Sequence, residues 1–165
     1  MKYPFIIAEI SANHNGSLKD LKKLIKLAKE QGMSAVKIQT YTADTMTIKT
    51  KSKKFIISSG IWKGESLWNL YNKAHTPWKW HKELFNYAKK IRIKIFSTPF
   101  DNSAVNFLEK LNCPFYKVSS FEMNDLGLIK RIAKTKKTMI ISTGLSNLNE
   151  ISKTISCAKK YGAKK

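Results

Sequence analysis

Cysteine is nearly absent from this chain: Cys113 and Cys157 stand alone, at a spacing that forms neither a metal-binding nor a redox motif. That excludes a disulfide framework, and a reduced, cytosolic protein with two incidental thiols is expected. Long apolar runs are also missing, since no stretch approaches the ~20 residues that a membrane span needs. The opening MKYPFIIAEIS has no signal-like apolar core or cleavage site. A cytoplasmic location without membrane association is therefore expected. The first polar junction reads SANHNGS rather than a glycine-rich turn, and there is no P-loop. Both absences argue against a nucleotide-binding fold.

Acidic residues are scarce. Asp and Glu number 11 against 31 Lys and Arg, for a net charge of +20. Such an excess suits phosphates, either of nucleic acid or of a small anionic substrate drawn in by steering. The lysines are spread over almost every amphipathic segment, as in LKDLKKLIKLAKE, KELFNYAKK and IKRIAKTKK. There they read as solvated faces. A basic α/β module that binds nucleic acid is thus the alternative and not the expectation.

What is present is a repeated pattern of short apolar strand, polar junction and amphipathic helix. With 165 residues, 42% of them hydrophobic, the chain can bury one core. Strands are expected at 5–10, 35–40, 93–98, 115–120 and 138–143. Ser17 is placed to cap the first helix and Gly32 to stop it. Thr76 is expected as an N-cap with Pro77 at the first helical position. Asp101 caps the next helix, Asn124 or Asp125 the one after, and Asn147 with Glu150 reads as a capping box. A long segment, 41–75, interrupts the pattern after the second strand.

Alternation of this kind implies a parallel α/β sheet. Polar residues recur at the carboxyl ends of its strands: Glu9, Lys37 with Gln39, Thr98, Lys117 with Ser119 and Ser120, and Ser142 with Thr143. A (β/α)8 barrel draws its catalytic groups from that end and takes about 250 residues. Five strand–helix units fit here, so the expected fold is a partial TIM (β/α)8 barrel of about five of eight βα units.

The stretch YKVSSFE, 116–122, couples a lysine and two hydroxyls with a carboxylate. A lysine with hydroxyls can hold an anion, and the carboxylate can orient a hydroxylated substrate; a solvated strand end is the plain alternative. Strict alternation puts Lys117 and Ser119 on one face and leaves Ser120 off it. Glu9 lies in an apolar strand, where an unpaired carboxylate is costly, so an ion pair with Lys37 stands beside any chemical role. His14, in NHNG, is either a hydrogen-bonded loop former or a catalytic group. His75 and His81 lack ligand spacing. Trp62, Trp68, Trp78 and Trp80 suit packing of the inserted segment or a sugar-stacking wall, and packing is expected.

Six motifs in order, IAEISANHNGSL, VKIQTYTADT, TPWKWHKEL, FSTPFD, YKVSSFE and IISTG, resemble the N-acetylneuraminate synthase family. The resemblance covers essentially the whole chain, as the N-terminal part of that family's barrel. GIWKGESLWNLYNKAHTPWKWH (60–81) and Phe121 before Glu122 are similar to the branch that makes pseudaminic acid. The sialic acid and legionaminic acid branches are the alternatives. What the resemblance implies is condensation of phosphoenolpyruvate with an acetamido sugar, giving a nine-carbon 2-keto acid and phosphate. For this branch the sugar is 2,4-diacetamido-2,4,6-trideoxy-altrose.

The resemblance also implies residue roles. Lys117, Thr98, Ser120 and Ser142 match phosphate-binding positions, with Ser119 open as the alternative to Ser120. Lys37 matches the lysine near the phosphoenolpyruvate carboxylate. Glu9 matches a carboxylate at the reacting centre and joins His14 as a catalytic candidate. Gln39 and Glu122 match positions that hold the sugar. A divalent metal such as Mn2+ is implied, with its ligands beyond residue 165. The remaining strands and a C-terminal antifreeze-like (SAF) domain, which caps a partner's site in a homodimer, are also expected outside 1–165. The chain by itself is thus expected to be an incomplete, inactive portion.

Overall fold

Short runs rich in β-branched and aromatic residues form five strands in a computed structural model that describes residues 4–164. They are β1 (Ile7–Glu9), β2 (Ala35–Thr40), β3 (Lys94–Pro99), β4 (Phe115–Val118) and β5 (Thr138–Ile141). Every pairing is parallel, in the order β1-β2-β3-β4-β5. Parallel neighbours need a crossover, and helices provide it. α1 (Leu18–Glu30) joins β1 to β2. The inserted segment adds α2 (Ala43–Met46), one 3-10 turn and α3 (Leu67–Ala74). Then come α4 (Trp78–Lys90), α5 (Asn102–Lys110), α6 (Leu126–Ala133) and α7 (Leu148–Lys160).

A strand order that never reverses has no switch point, which separates this sheet from the doubly wound kind. The helices line up in the same sequence on one face. α1 contacts α4, Trp78 of α4 stacks on Phe107 of α5 at 4.7 Å, and α5 leads on through α6 to α7. Helices outside and sequential strands inside make five units of a (β/α)8 barrel, as expected.

Most helix starts follow the local chemistry. Ser17 accepts from the Asp20 N–H, Asp101 from the Ala104 N–H at 3.0 Å, and Asp125 from the Leu128 N–H at 3.0 Å. Asn147 and Glu150 close the capping box in both directions. Thr76 is the exception. Pro77 takes the N-cap with ψ 128°, so the helix begins one residue later than expected, at Trp78. Thr76 is left buried, with no partner for its hydroxyl among the described residues. The strand ends also differ: β4 stops at Val118 and β5 at Ile141, before the serines expected inside them.

Period-two alternation divides the sheet's side chains between two environments. Toward the helices, Leu21, Ile25, Val36, Ile38 and Leu84 form one cluster, and Val105, Leu108, Val118, Ile129 and Ile132 another. A polar knot is buried in that layer. The His81 Nδ1 lies 3.2 Å from the Pro77 carbonyl, which only accepts, so Nδ1 carries the hydrogen. Nε2 then accepts from the Thr40 hydroxyl at 2.8 Å, and the single Ser97 hydrogen is shared between the Thr40 hydroxyl at 2.6 Å and the Ile38 carbonyl at 3.1 Å. All three side chains are buried, and burial pushes the His81 pKa down to about 4. On the inner face Phe96 packs on Phe115, with ring centroids 4.2 Å apart, as an apolar floor at the amino ends of the strands.

Among the described residues, the outer edges of β1 and β5 have no strand partner. Each is flanked by an apolar groove, one lined by Met139, Ile141, Ile155 and Ala158, the other by Ile10, Leu24, Leu27 and Met33. Open edges beside apolar grooves promote association. Expressed as these residues alone, the chain is expected to elute from size-exclusion chromatography ahead of a monomer. A single sharp monomer peak would contradict this.

Candidate active site

The carboxyl ends of the strands carry the polar half of the inner face. Glu9 and Lys37 are register partners across β1 and β2, so alternation places both side chains inward at one level. The Lys37 ammonium is buried and forms an ion pair with the Glu9 carboxylate, whose side chain remains 47% exposed. The same ammonium donates to the Thr98 hydroxyl at 3.1 Å. That oxygen accepts, and among the described residues the Thr98 hydroxyl donates to no side chain or carbonyl, which leaves its hydrogen for an incoming acceptor. The ion pair that stood beside a chemical role for Glu9 is therefore present, and the Glu9 side chain stays about half exposed.

Lys117 reaches the same end from β4. It has no ion pair or hydrogen bond among the described residues, and its pKa is lowered by burial and then by the nearby charge of Lys37. Glu9 and Glu122 oppose that shift. Glu122 is half-buried and its pKa is raised, mainly by burial. One of its carboxylate oxygens has no partner among the described residues. Two lysines, with the Lys117 charge disfavoured by burial and by Lys37, and a carboxyl that ionises reluctantly beside them form a site poised for an anion.

Three serines stand at the carboxyl ends of β4 and β5. Ser119 and Ser120 follow the last residue of β4, where the strand has become a turn. Alternation no longer decides between them there. The Ser142 N–H donates to the Val118 carbonyl at 3.1 Å, which carries the ladder one step past β5 and sets Ser142 beside the end of β4. The Ser120 Oγ lies toward the loop after β5, 3.7 Å from where a Cβ on Gly144 would stand. Gln39 sits two residues beyond Lys37 and opposite Thr98 in the ladder, and its Oε1 accepts from the Ser11 hydroxyl at 3.2 Å.

His14 lies elsewhere. The turn after β1 folds back on the Ile10 carbonyl, which accepts from both the backbone and the side chain of Asn13. That delivers the His14 ring edge-on to Trp80, with centroids 5.6 Å apart, in a buried position. Its Nδ1 accepts from the Gly16 N–H at 3.0 Å, and burial lowers its pKa. In this structure His14 pins the loop, and among the described residues no hydrogen bond or ion pair ties it to Glu9 or the lysines. Ser11 is the reverse case, a residue at the mouth that no motif singled out.

Three tryptophans are packed. Trp78 stacks on Phe107, Trp80 meets His14, and Trp68 donates to Asp44 at 2.8 Å; Trp62 is half exposed. Among the described residues no three His, Cys, Asp or Glu side chains converge on a possible metal position. No helix there is long and apolar enough to cross a membrane.

Sequential parallel strands, an outer helical layer and a polar mouth at the carboxyl ends define a protein of the TIM-barrel class. More narrowly, the chain belongs to the NeuB family, which it matches over residues 24–165. It is 46% identical over 157 residues to the pseudaminic acid synthase of Helicobacter pylori, covering 95% of this chain and 46% of that protein. It is 40% identical over 167 residues to the N,N'-diacetyllegionaminic acid synthase of Campylobacter jejuni, covering 100% of this chain and 49% of that one. Among solved structures, the N-acetylneuraminic acid (sialic acid) synthetase of Leptospira borgpetersenii, in complex with citrate, superposes with a TM-score of 0.83 at 26% identity. That match covers 97% of this chain and 51% of the other. The family resemblance seen in the six motifs is borne out, and the chain spans about half the length of the curated relatives it matches.

Proposed function

We propose that this chain forms the phosphoenolpyruvate-binding half of a nonulosonic acid synthase of the pseudaminic type. Its reaction joins C3 of phosphoenolpyruvate to the aldehyde carbon of 2,4-diacetamido-2,4,6-trideoxy-altrose. The aldehyde oxygen becomes a hydroxyl, water adds at C2, and phosphate leaves with its bridging oxygen.

The observation that carries this reading is the pair Lys37 and Lys117, two ammonium groups held on one inner face with their charges opposing each other. A phosphate and a carboxylate on one small molecule would relieve that opposition at both ends. Lys117 takes the phosphate, with the Thr98 hydrogen and the Ser120 and Ser142 hydroxyls as further donors. Lys37 takes the carboxylate end, its charge partly balanced by Glu9 until substrate arrives. Charge-assisted hydrogen bonds of this kind are the stronger ones, and exclusion of water strengthens them further.

Glu9, half-exposed at the same level, is placed to hold the proton of the water that adds at C2. Glu122 and Gln39 take the sugar, Glu122 as a carboxyl able to donate as well as accept. A divalent metal such as Mn2+ would polarise the sugar aldehyde, and no ligand set for it exists among the described residues. On this reading residues 1–165 are the N-terminal portion of the barrel. Further βα units complete the edges of β1 and β5, a SAF domain follows, and the full-length form is a cytoplasmic homodimer.

Calorimetric titration of the chain with phosphoenolpyruvate tests the proposal. Saturable binding is expected, weaker for pyruvate, which lacks the phosphate. Absence of phosphoenolpyruvate binding, with DNA bound in a salt-sensitive way, would overturn it.

A further inference from the structure

We propose that Ser11 is a positioning residue that fixes the Gln39 carboxamide and through it the recognition of the sugar; the sugar-selecting part rests on the function proposed above. Ser11 stands where the chain leaves the sheet. The Ile10 N–H still bonds the Lys37 carbonyl at 3.0 Å, and the next residue, Ser11, turns out of the strand with φ +50°. Glycine adopts that conformation freely, whereas a side chain there is strained. A strained serine points to a role for its side chain.

That role is visible in its one side-chain hydrogen bond among the described residues. The Ser11 hydroxyl donates to Gln39 Oε1 at 3.2 Å, across 28 residues of sequence. The hydroxyl tethers the carboxamide at this point, with Oε1 toward Ser11 in this structure. Nε2 makes no hydrogen bond to the protein among the described residues, which leaves two donor hydrogens for a ligand. Gln39 follows Lys37 on the same face of β2 and lies opposite Thr98, so those donors stand one layer above the lysine, at the mouth. An amide presented as a donor selects an acceptor, such as a sugar hydroxyl oxygen or an acetamido carbonyl. Without the Ser11 hydroxyl the carboxamide loses that tether, and its donors are no longer held at the mouth.

Two substitutions separate positioning from folding. Ser11→Gly removes the hydroxyl but relieves the strained φ, so it raises the thermal midpoint. Ser11→Asn tolerates the left-handed backbone and returns an N–H donor. The first readout needs no ligand: 15N relaxation of the Gln39 side-chain amide in the full chain. The second is calorimetric affinity for 2,4-diacetamido-2,4,6-trideoxy-altrose and for phosphoenolpyruvate. Ser11→Gly is expected to mobilise the Gln39 amide and weaken sugar binding about tenfold, in line with loss of one oriented hydrogen bond. Phosphoenolpyruvate affinity should stay unchanged, and Ser11→Asn should restore both amide order and sugar affinity. A Gln39 amide equally ordered in Ser11→Gly and wild type would overturn the proposal. Unchanged sugar affinity in Ser11→Gly would overturn the sugar-selecting half, and so would a wild-type chain that binds phosphoenolpyruvate but no sugar. A chain that binds neither overturns the function proposed above, and amide relaxation then decides alone whether Ser11 positions Gln39.

Discussion

Lys117→Ala is expected to weaken phosphoenolpyruvate binding by one to two orders of magnitude, because a hydrogen bond to a charged group contributes about 1.5–3 kcal/mol. Few other substitutions at this site are as clean. Lys37→Ala would also strip Glu9 of its partner and Thr98 of a donor, so its effect would mix binding with repair of the site. Lys117 has no hydrogen-bonded or ion-paired dependant among the described residues.

A pH signature accompanies the loss. In the free protein, burial and the Lys37 charge lower the Lys117 pKa, while a bound dianion favours the protonated form. Affinity should therefore decline with rising pH earlier than an ordinary lysine would dictate. Lys117→Ala should abolish that part of the decline, Lys117→Arg should delay it, and Lys164→Ala should leave it alone. Titration calorimetry across pH reads all four proteins. Wild-type affinity in Lys117→Ala would sink the assignment of Lys117 to the phosphate.

The largest effect on stability is expected from acid, through His81. Its folded pKa is lowered from 6.5 to about 4 by burial. Between those values the unfolded chain takes up a proton that the folded chain refuses, so the unfolded state gains as pH falls. Stability is fully present above pH 6.5 and is lost as pH drops toward 4, by about 1.4 kcal/mol for each pH step of one and about 3 kcal/mol in all. His81→Leu removes the titration but leaves the Thr40 hydroxyl without its acceptor, costing about 1–3 kcal/mol at neutral pH. The substituted protein should thus be weaker at pH 7 yet flatter between pH 6.5 and 4. Urea unfolding followed by circular dichroism checks this. Parallel pH profiles for the two proteins would rule out His81 as the acid-sensitive group.

Ser17, Asp101, Asp125 and Asn147 are legible in the sequence because each cap bonds an N–H three residues ahead. Thr76 is misread because the start of α4 depends on the extended ψ of Pro77, whose carbonyl also holds the His81 ring. β4 and β5 end together, at paired residues Val118 and Ile141; apolar alternation within one strand carries no sign of where its neighbour stops. At the mouth, Lys37, Thr98 and Lys117 follow from period two and the carboxyl-end rule. Ser11 does not, since its interest lies in a positive φ and a partner 28 residues away. The knot of His81, Thr40 and Ser97 is hidden for the same reason, being assembled from three elements. Its histidine shows only a lack of ligand spacing when read in order.

The unreversed strand order has a kinetic consequence. Each strand pairs with the one just before it, so the sheet can grow unit by unit from the amino end, with low contact order at nearly every step. One step is longer than the others: β3 cannot close on β2 until the inserted segment has emerged. Closure entropy rises slowly with loop length, by about 0.6 kcal/mol per doubling, and this joint carries the longest ladder, with six residues of β2 in register against β3. Docking of β3 onto β2 is thus the natural commitment point of folding. It is also the event that first brings Thr98 to the Lys37 ammonium, so the mouth begins to assemble when the slowest joint closes.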